Sequence, residues 1–220
     1  MPFFRDLRPA PRWAIMLLAV ALLAAVLTAS VPALRQSVLR SAGRALVAQD
    51  PPAKADIIVV STDAMGVGFI EAADLVKAGF ATRVAIFDRL PTRAQRELTR
   101  RGLEPLDLKA YSVRILHSLG VTEIEVIPAV VGTVDEGKVL QQWCAANSIH
   151  SMLFVSAPDH SRRTRRVLDR ALGRHGVTVM VRAARFSEFD PDSWWRSRSG
   201  QRTQVVESEK LLMDFLEHPF

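Results

Sequence analysis

The stretch Met152-Leu153-Phe154-Val155, with Ser156-Ala157-Pro158-Asp159-His160-Ser161-Arg162-Arg163 behind it and Val177-Thr178-Val179-Met180-Val181 beyond, decides the fold. Four consecutive apolar residues without polar alternation suit a strand covered on both faces, as in parallel sheets. Between the two strands, Val167, Leu168, Ala171 and Leu172 recur at helical spacing, which predicts a helix from about Arg162 to His175. Strand, helix, strand is a βαβ unit.

Reading towards the N-terminus, the unit repeats. Asp56-Ile57-Ile58-Val59-Val60, Val84-Ala85-Ile86-Phe87 and Ile124-Glu125-Val126-Ile127 are strand-like runs separated by helical stretches. Thr92 with Gln95 forms a capping-box pattern, Asp107 can cap the next helix, and Thr133 with Glu136 reads as a second capping box. Such alternation without hairpin turns predicts an α/β domain over 55–220, with a Rossmann-like parallel sheet of about five strands flanked by helices.

Upstream, Trp13 to Val31 contains neither charge nor proline and would span roughly 28 Å as a helix, close to a bilayer's hydrocarbon thickness. The expectation is one N-terminal transmembrane helix at 13–31 after a basic tail at 1–12, followed by an amphipathic connector at 32–54. The rival is a cleaved signal peptide, with small-residue sites at Thr28-Ala29-Ser30 and Val31-Pro32-Ala33. Arginines flank both ends of the apolar run, so charge alone leaves the orientation open. They also account for much of the +6 net charge and the pI near 10.2. No stretch interleaves basic and aromatic residues as a single-strand binding groove would, which argues against nucleic acid as a partner. The lone Cys144 cannot form an internal disulfide, and the histidines lack metal-ligand spacing, so no metal site is expected. Nothing identifies a cofactor: Met65-Gly66-Val67-Gly68 matches neither a dinucleotide fingerprint nor a P-loop.

Ligands of open parallel sheets bind beyond the strands' carboxyl ends. There the sequence places Ser61-Thr62-Asp63, Asp88-Arg89, Thr133 with Asp135 and Glu136, and Ser156 through Arg163. Arg163 precedes Val167 by four residues and continues the buried stripe, whereas Arg162, Arg166, Arg170 and Arg174 fall on a face expected to be solvated. His160, Ser161 and Arg163 beside free helix N–H groups form a candidate anion site. The simpler alternative is that Ser161 or Asp159 caps the helix while Arg163 meets a structural carboxylate. Asp135 and Glu136 are candidate acid–base groups, or ordinary acids at a helix start. Ser156 can donate to a ligand or cap.

In order and spacing, Gly132-Thr133-Val134-Asp135-Glu136, Val155 through Arg163, Asp190-Pro191-Asp192-Ser193-Trp194-Trp195-Arg196, and Glu207 with Lys210 resemble the YdcF/SanA/ElyC-like family. That family of unknown biochemical function is linked to bacterial envelope biogenesis and is often membrane-anchored. The resemblance covers roughly Ala55 to Leu216. It implies a single-pass inner-membrane protein whose C-terminal domain lies outside the cytoplasm, with the bilayer as one partner and an anionic or lipid-linked ligand as another; no protein partner is implied. It carries Thr133, Asp135, Glu136, His160, Arg163 and Glu207 as site residues: Asp135, Glu136 and His160 for catalysis, and Thr133, Arg163 and Glu207, with Ser156 and Ser161, for ligand binding. The first half departs from the pattern. Where the family has glycines, a helix arginine and a Ser-Gly-Gly-like turn, this chain has Ser61-Thr62-Asp63, Glu71 and Phe87-Asp88-Arg89. Two functions follow as expectations: an envelope enzyme acting on a phosphorylated precursor, or a non-catalytic envelope factor with an altered site.

Overall fold

In the computed structural model, the described residues are 13–14, 16–20 and 30–219. Of the expected anchor at 13–31, residues 15 and 21–29 lie outside them, and the basic tail at 1–12 wholly so. Among the described residues no helix is long and apolar enough to cross a membrane. The chain divides into two units, one ending at Ala42 and one from Gly43 onwards. Helix α1 (Pro32–Arg44) runs to the start of the second unit.

That second unit holds the sheet. Its order is β3 (Glu123–Ile127), β2 (Arg83–Phe87), β1 (Ile57–Val60), β4 (Ser151–Ser156), β5 (Thr178–Ala183), with every neighbouring pair parallel. All four residues of β1 are buried, alternately on opposite faces. Ile57 and Val59 join Phe154 and Val181 on one face, covered by Leu140 and Cys144 of α5 (Thr133–Ala146) and Leu168 and Leu172 of α6 (Pro158–Leu172). Ile58 and Val60 meet Phe69, Ala72 and Leu75 of α2 (Val67–Lys77) and Leu116 of α4 (Leu108–Ser118) on the other. The fold is thus a five-stranded parallel sheet between two helical layers, the arrangement that near-continuous apolar strands require. Cys144 is a free thiol in this core, and burial pushes its pKa up to about 11.

Local capping mostly follows the sequence. Thr92 and Gln95 form a reciprocal capping box ahead of α3 (Arg93–Arg100), and Asp107 accepts from the Ala110 N–H to start α4. Two starts differ. The box expected at Thr133 and Glu136 does not form: Gly132 is the N-cap, Thr133 is already helical, and the Glu136 carboxylate turns elsewhere. Helix α6 starts at Pro158 rather than near Arg162, because a proline at the first position is preset for the helix and lacks only an N–H that has no intrahelical acceptor. Neither Asp159 nor Ser161 caps it.

The expected connector contains a strap. Asp50 exchanges backbone and side-chain hydrogen bonds with Val181, and the Gln49 side chain accepts from the Ala183 N–H. Leu46 and Ala48 are buried, and the Ala48 N–H donates to Ser161 Oγ at 2.8 Å. At the other end of the chain, α7 (Arg198–Glu217) lies against α6. Its first turn passes so close to Trp194 that a Cβ at Gly200 would stand 2.3 Å from the Trp194 carbonyl oxygen.

Candidate functional site

Strand order reverses between β1 and β4, since the chain leaves β1 towards β2 on one side and later adds β4 on the other. A crevice at that switch point is where such sheets take ligands. The loop after β1 supplies Ser61, Thr62 and Asp63; the end of β4 and the first two turns of α6 supply Ser156, Asp159, His160 and Arg163.

These residues are joined to one another. Asp63 Oδ1 accepts from the Ala157 N–H at 3.2 Å, and Asp63 Oδ2 accepts from Ser156 Oγ at 3.2 Å. A carboxylate therefore sits at the N-terminus of α6, the position that otherwise attracts a ligand anion. His160 Nδ1 lies 3.2 Å from Glu207 Oε2 on α7 and 3.7 Å from Asp63 Oδ2, while its Nε2 lies 3.3 Å from Asp159 Oδ2. Arg163 Nη2 donates to the same Glu207 Oε2 at 3.0 Å, and Lys210 Nζ donates to Glu207 Oε1 at 2.7 Å.

The proton inventory follows from these contacts. Burial alone would depress the His160 pKa, but the Glu207 hydrogen bond and the Asp63, Asp159 and Glu207 charges outweigh it and raise it. Nδ1 thus faces the Glu207 carboxylate and Nε2 the Asp159 carboxylate. Arg163 also approaches His160 Nδ1 at 3.0 Å. Arg163 Nη2 thus faces both Glu207 Oε2 and His160 Nδ1, which accepts from it when that ring nitrogen carries no proton. Glu207 is buried, yet hydrogen bonds from His160 and Lys210 and the Arg163 charge hold its pKa down to about 2. Burial pushes the Asp159 carboxyl up, against the His160 charge. The cluster thus sets His160, Arg163 and Lys210 against Asp63, Asp159 and Glu207. Arg163 and Lys210 both reach the Glu207 carboxylate.

The remaining candidates separate. Glu136 is 1% exposed and faces the β1 loop, accepting from Ser61 Oγ, the Thr62 N–H and Thr62 Oγ1 at 2.8–2.9 Å through Oε1. Burial and the Asp63 charge raise its pKa. It reaches that loop because Gly137 lets α5 lie tightly against α6: a Cβ there would be 3.1 Å from both Ala171 Cβ and Val167 Cγ1. Glu136 holds the loop and is closed to substrate. Asp135 and Thr133 are half-buried in the first turn of α5 and make no side-chain hydrogen bond or ion pair among the described residues. Ser161 is fully buried, donating to the Pro158 carbonyl and accepting from Ala48, so it fastens the strap.

Of the arginines expected on a solvated face of α6, Arg162 and Arg174 are exposed, and Arg166 and Arg170 are a correction. Arg166 and Arg170 both bind Asp214 of α7, Arg166 stacks over the Phe215 ring at 3.7 Å, and Arg162 donates to the Ala45 and Val47 carbonyls. Arg162, Arg166 and Arg170 meet polar groups on elements far along the chain, which four-residue spacing on one helix cannot reveal. Sequence reasoning also missed the roles of Asp63 and Asp214. The available signals were a carboxylate three residues past β1 at the switch point, and an acid seven residues after Glu207 on the same face of α7.

Two open spaces border the cluster. A cleft of about 460 Å³ at the strand ends is lined by Thr62, Asp63, Asp88, Arg89, Gln95 and Val131, among others. A groove of about 610 Å³ between α5, α6 and α7, with Val134, Lys138, Val167 and Met213 in its walls, meets the cluster only at Arg163 and Lys210. The first opens over the carboxyl ends of β1, β2 and β3 and borders the switch point through Thr62 and Asp63. Among the described residues, no group of three histidine, cysteine or acidic side chains is arranged to hold a metal ion. Compared with known proteins, the chain matches no family model and no curated protein.

Proposed function

We propose that this chain is a membrane-anchored factor of the bacterial envelope, similar to the YdcF/SanA/ElyC-like proteins, that binds a ligand or partner at its strand-end cleft without turning it over. One observation carries the reading: Asp63 occupies the N-terminus of α6, where a phosphate would otherwise be received. Arg163 adds no free charge, because Glu207 already holds it. The bilayer is its first partner, through residues 13–31, and an anionic or lipid-linked ligand is met through the cleft beside Arg89 rather than through Arg163. The folded unit lies outside the cytoplasm.

A second reading, acid–base catalysis on a phosphorylated precursor, has one specific observation in its favour. His160 is gripped by carboxylates at the switch point and has a raised pKa, a pattern frequent in active sites. Full-length protein in nanodiscs, incubated with phosphate-bearing lipid-linked precursors, distinguishes the two. Binding without product is expected. Product formation abolished by His160→Gln overturns the binding reading. A reporter fused after Phe220 tests the topology; cytoplasmic reporter activity overturns the envelope assignment.

A further inference from the structure

Helix α3 buries none of its eight residues. A helix that short is marginal in water by itself, and surface helices are normally held down by a buried apolar stripe. Here the ends supply the order: the reciprocal capping box of Thr92 and Gln95, and Gly102, with a φ of 78°, after the last turn. The flanking apolar residues stay outside as well, Leu90 at 57% exposed, Leu103 at 57% and Leu106 at 59%. From Arg89 to Arg101 five arginines stand against one acid, Glu97, with Glu104 just beyond.

The arginines and the strand-end cleft lie on different sides of this helix. Gln95, with Leu90 and Thr92 before it, lines the cleft. Arg93, Arg96 and Arg100 share one stripe, and helical geometry turns Gln95 at least about 100° from each of them. The cationic stripe therefore faces away from the cleft, as a surface outside the domain requires and a lid over a bound ligand does not. Its charge is little compensated. Arg93 makes no side-chain hydrogen bond or ion pair among the described residues, and Arg96 donates only to the neutral Pro91 carbonyl. Arg100 shares Glu97 with Arg101.

We propose that α3, with its flanking leucines, is a foot that stands on anionic headgroups of the membrane holding the anchor. The course of the chain selects this occupant. Gly43, where the folded unit begins, lies against the Pro191 carbonyl and the Trp194 ring, in the segment after β5. Three residues on, the Leu46 carbonyl accepts from the Arg162 N–H, in the second turn after β4. Both contacts lie at the carboxyl edge of the sheet, the edge from which α3 springs after β2. Strands β2 and β5 are three spacings apart, about 14 Å. Upstream, the 13 residues of α1 rise about 20 Å, so the end of the apolar run at Val31 is tethered within that reach of the same edge. Exposed leucines beside uncompensated arginines are how interfacial segments hold an anionic bilayer. The inference rests on the membrane-anchored reading proposed above and adds which edge of the sheet faces the lipid. The cleft then opens beside the headgroup layer, where a lipid-linked ligand would enter it.

Full-length chain in nanodiscs of phosphatidylglycerol and phosphatidylcholine, with a fraction of the headgroups spin-labelled, tests the proposal. A thiol-reactive fluorophore is placed on the foot by Leu103→Cys or at the amino edge by Ala78→Cys, both exposed positions, while buried Cys144 stays unlabelled. Quenching should be strong at the foot and weak at the amino edge. Each arginine near the surface is worth roughly a fivefold preference for anionic lipid. Arg93→Glu combined with Arg96→Glu should therefore bring quenching at the foot down to that of Ala78→Cys, and so should discs of phosphatidylcholine alone. These side chains are exposed, so circular dichroism melts of the variants should match wild type. Elution with the discs reports on the anchor separately. A chain that elutes free of them overturns the membrane-anchored reading and this inference with it. A chain that co-elutes but is quenched equally at both edges overturns the inference alone, and leaves α3 to a protein partner. So does quenching at the foot that ignores both the charge reversals and the disc composition.

Discussion

The Ala157 N–H donates to Asp63 Oδ1 at 3.2 Å, so the loop after β1 and the helix after β4 are tied together across the switch point by the side chain nearest the α6 dipole. An internal carboxylate performs there the service that a bound anion performs at other helix N-termini. If the seat is filled, emptying it should make it available. Asp63→Ala should cost about 1 kcal/mol, the usual effect of losing a helix-start acceptor. Phosphate at constant ionic strength should then raise the melting temperature of Asp63→Ala while leaving wild type unchanged. Equal responses of the two proteins would show that Asp63 does not occupy an anion seat.

Glu136 makes a sharper distinction between holding and reacting. Glu136→Ala strands the Ser61 hydroxyl and the Thr62 N–H in a buried position, with an expected cost of about 1–3 kcal/mol in denaturant melts. Glu136→Gln retains one carbonyl acceptor and removes a carboxylate whose ionisation burial already disfavours, so it should cost far less. A Gln variant as unstable as the Ala variant would mean that the charge, not the hydrogen bonding, holds the loop.

Asp214 is the anchor of α7. Removing both of its arginines by Arg166→Ala and Arg170→Ala leaves a buried carboxylate unpaired, and the double variant should lose about 1–3 kcal/mol. At roughly 2–4 °C per kcal/mol for a chain of this size, a thermal melt resolves that loss. Either single variant should lose less, because one arginine remains. A double variant that melts with wild type would return α6 to the solvated face that its sequence spacing suggests.

The raised pKa of His160 sets a pH dependence. A group whose pKa is higher folded than unfolded stabilises fully below its unfolded value, ordinarily 6.5 for histidine, and loses that contribution as pH rises through the folded value. Glu207, held down to about 2, acts in the opposite sense: its contribution is present above its ordinary 4.5 and is lost as pH falls from there towards 2. Wild type should therefore lose stability on both the acidic and the alkaline side of the interval between about 4.5 and 6.5. His160→Gln should flatten the alkaline limb and leave an acidic one. Melts from pH 3 to about 9 check this, and an unchanged alkaline limb would remove His160 from the account.

What the sequence made legible tracks the range of the physics involved. The five strands were readable because Ile57-Ile58-Val59-Val60 and Met152-Leu153-Phe154-Val155 must be covered on both faces, a property of each run by itself. His160 and Arg163 were named from helix phase and Glu207 through family resemblance, and the fold brings Arg163 and His160 up to the Glu207 carboxylate. The errors fell where a local pattern competed with a distant partner. Glu136 has the spacing of a capping box, but three donors of the β1 loop, more than seventy residues away, claim its carboxylate. Arg166 and Arg170 have the spacing of a solvated stripe, but Asp214 lies 48 and 44 residues further along the chain. The strap was hidden for a different reason: it contributes side-chain acceptors and two buried apolar residues rather than any repeating element.

That strap bears on how copies of the sheet meet. A parallel sheet ends on each side in a strand with unpaired N–H and C=O groups, which any extended segment can extend. On the β5 side, the Asp50 and Gln49 side chains absorb the outward N–H groups of Val181 and Ala183, and the Asp50 N–H covers the Val181 carbonyl. On the β3 side, Glu123 and Glu125 place charge along the margin. The two margins are blunted by different means, one occupied and one charged, and both discourage the runaway strand-on-strand addition that turns exposed edges into fibres. Strap and margin residues thus act as guards against aggregation.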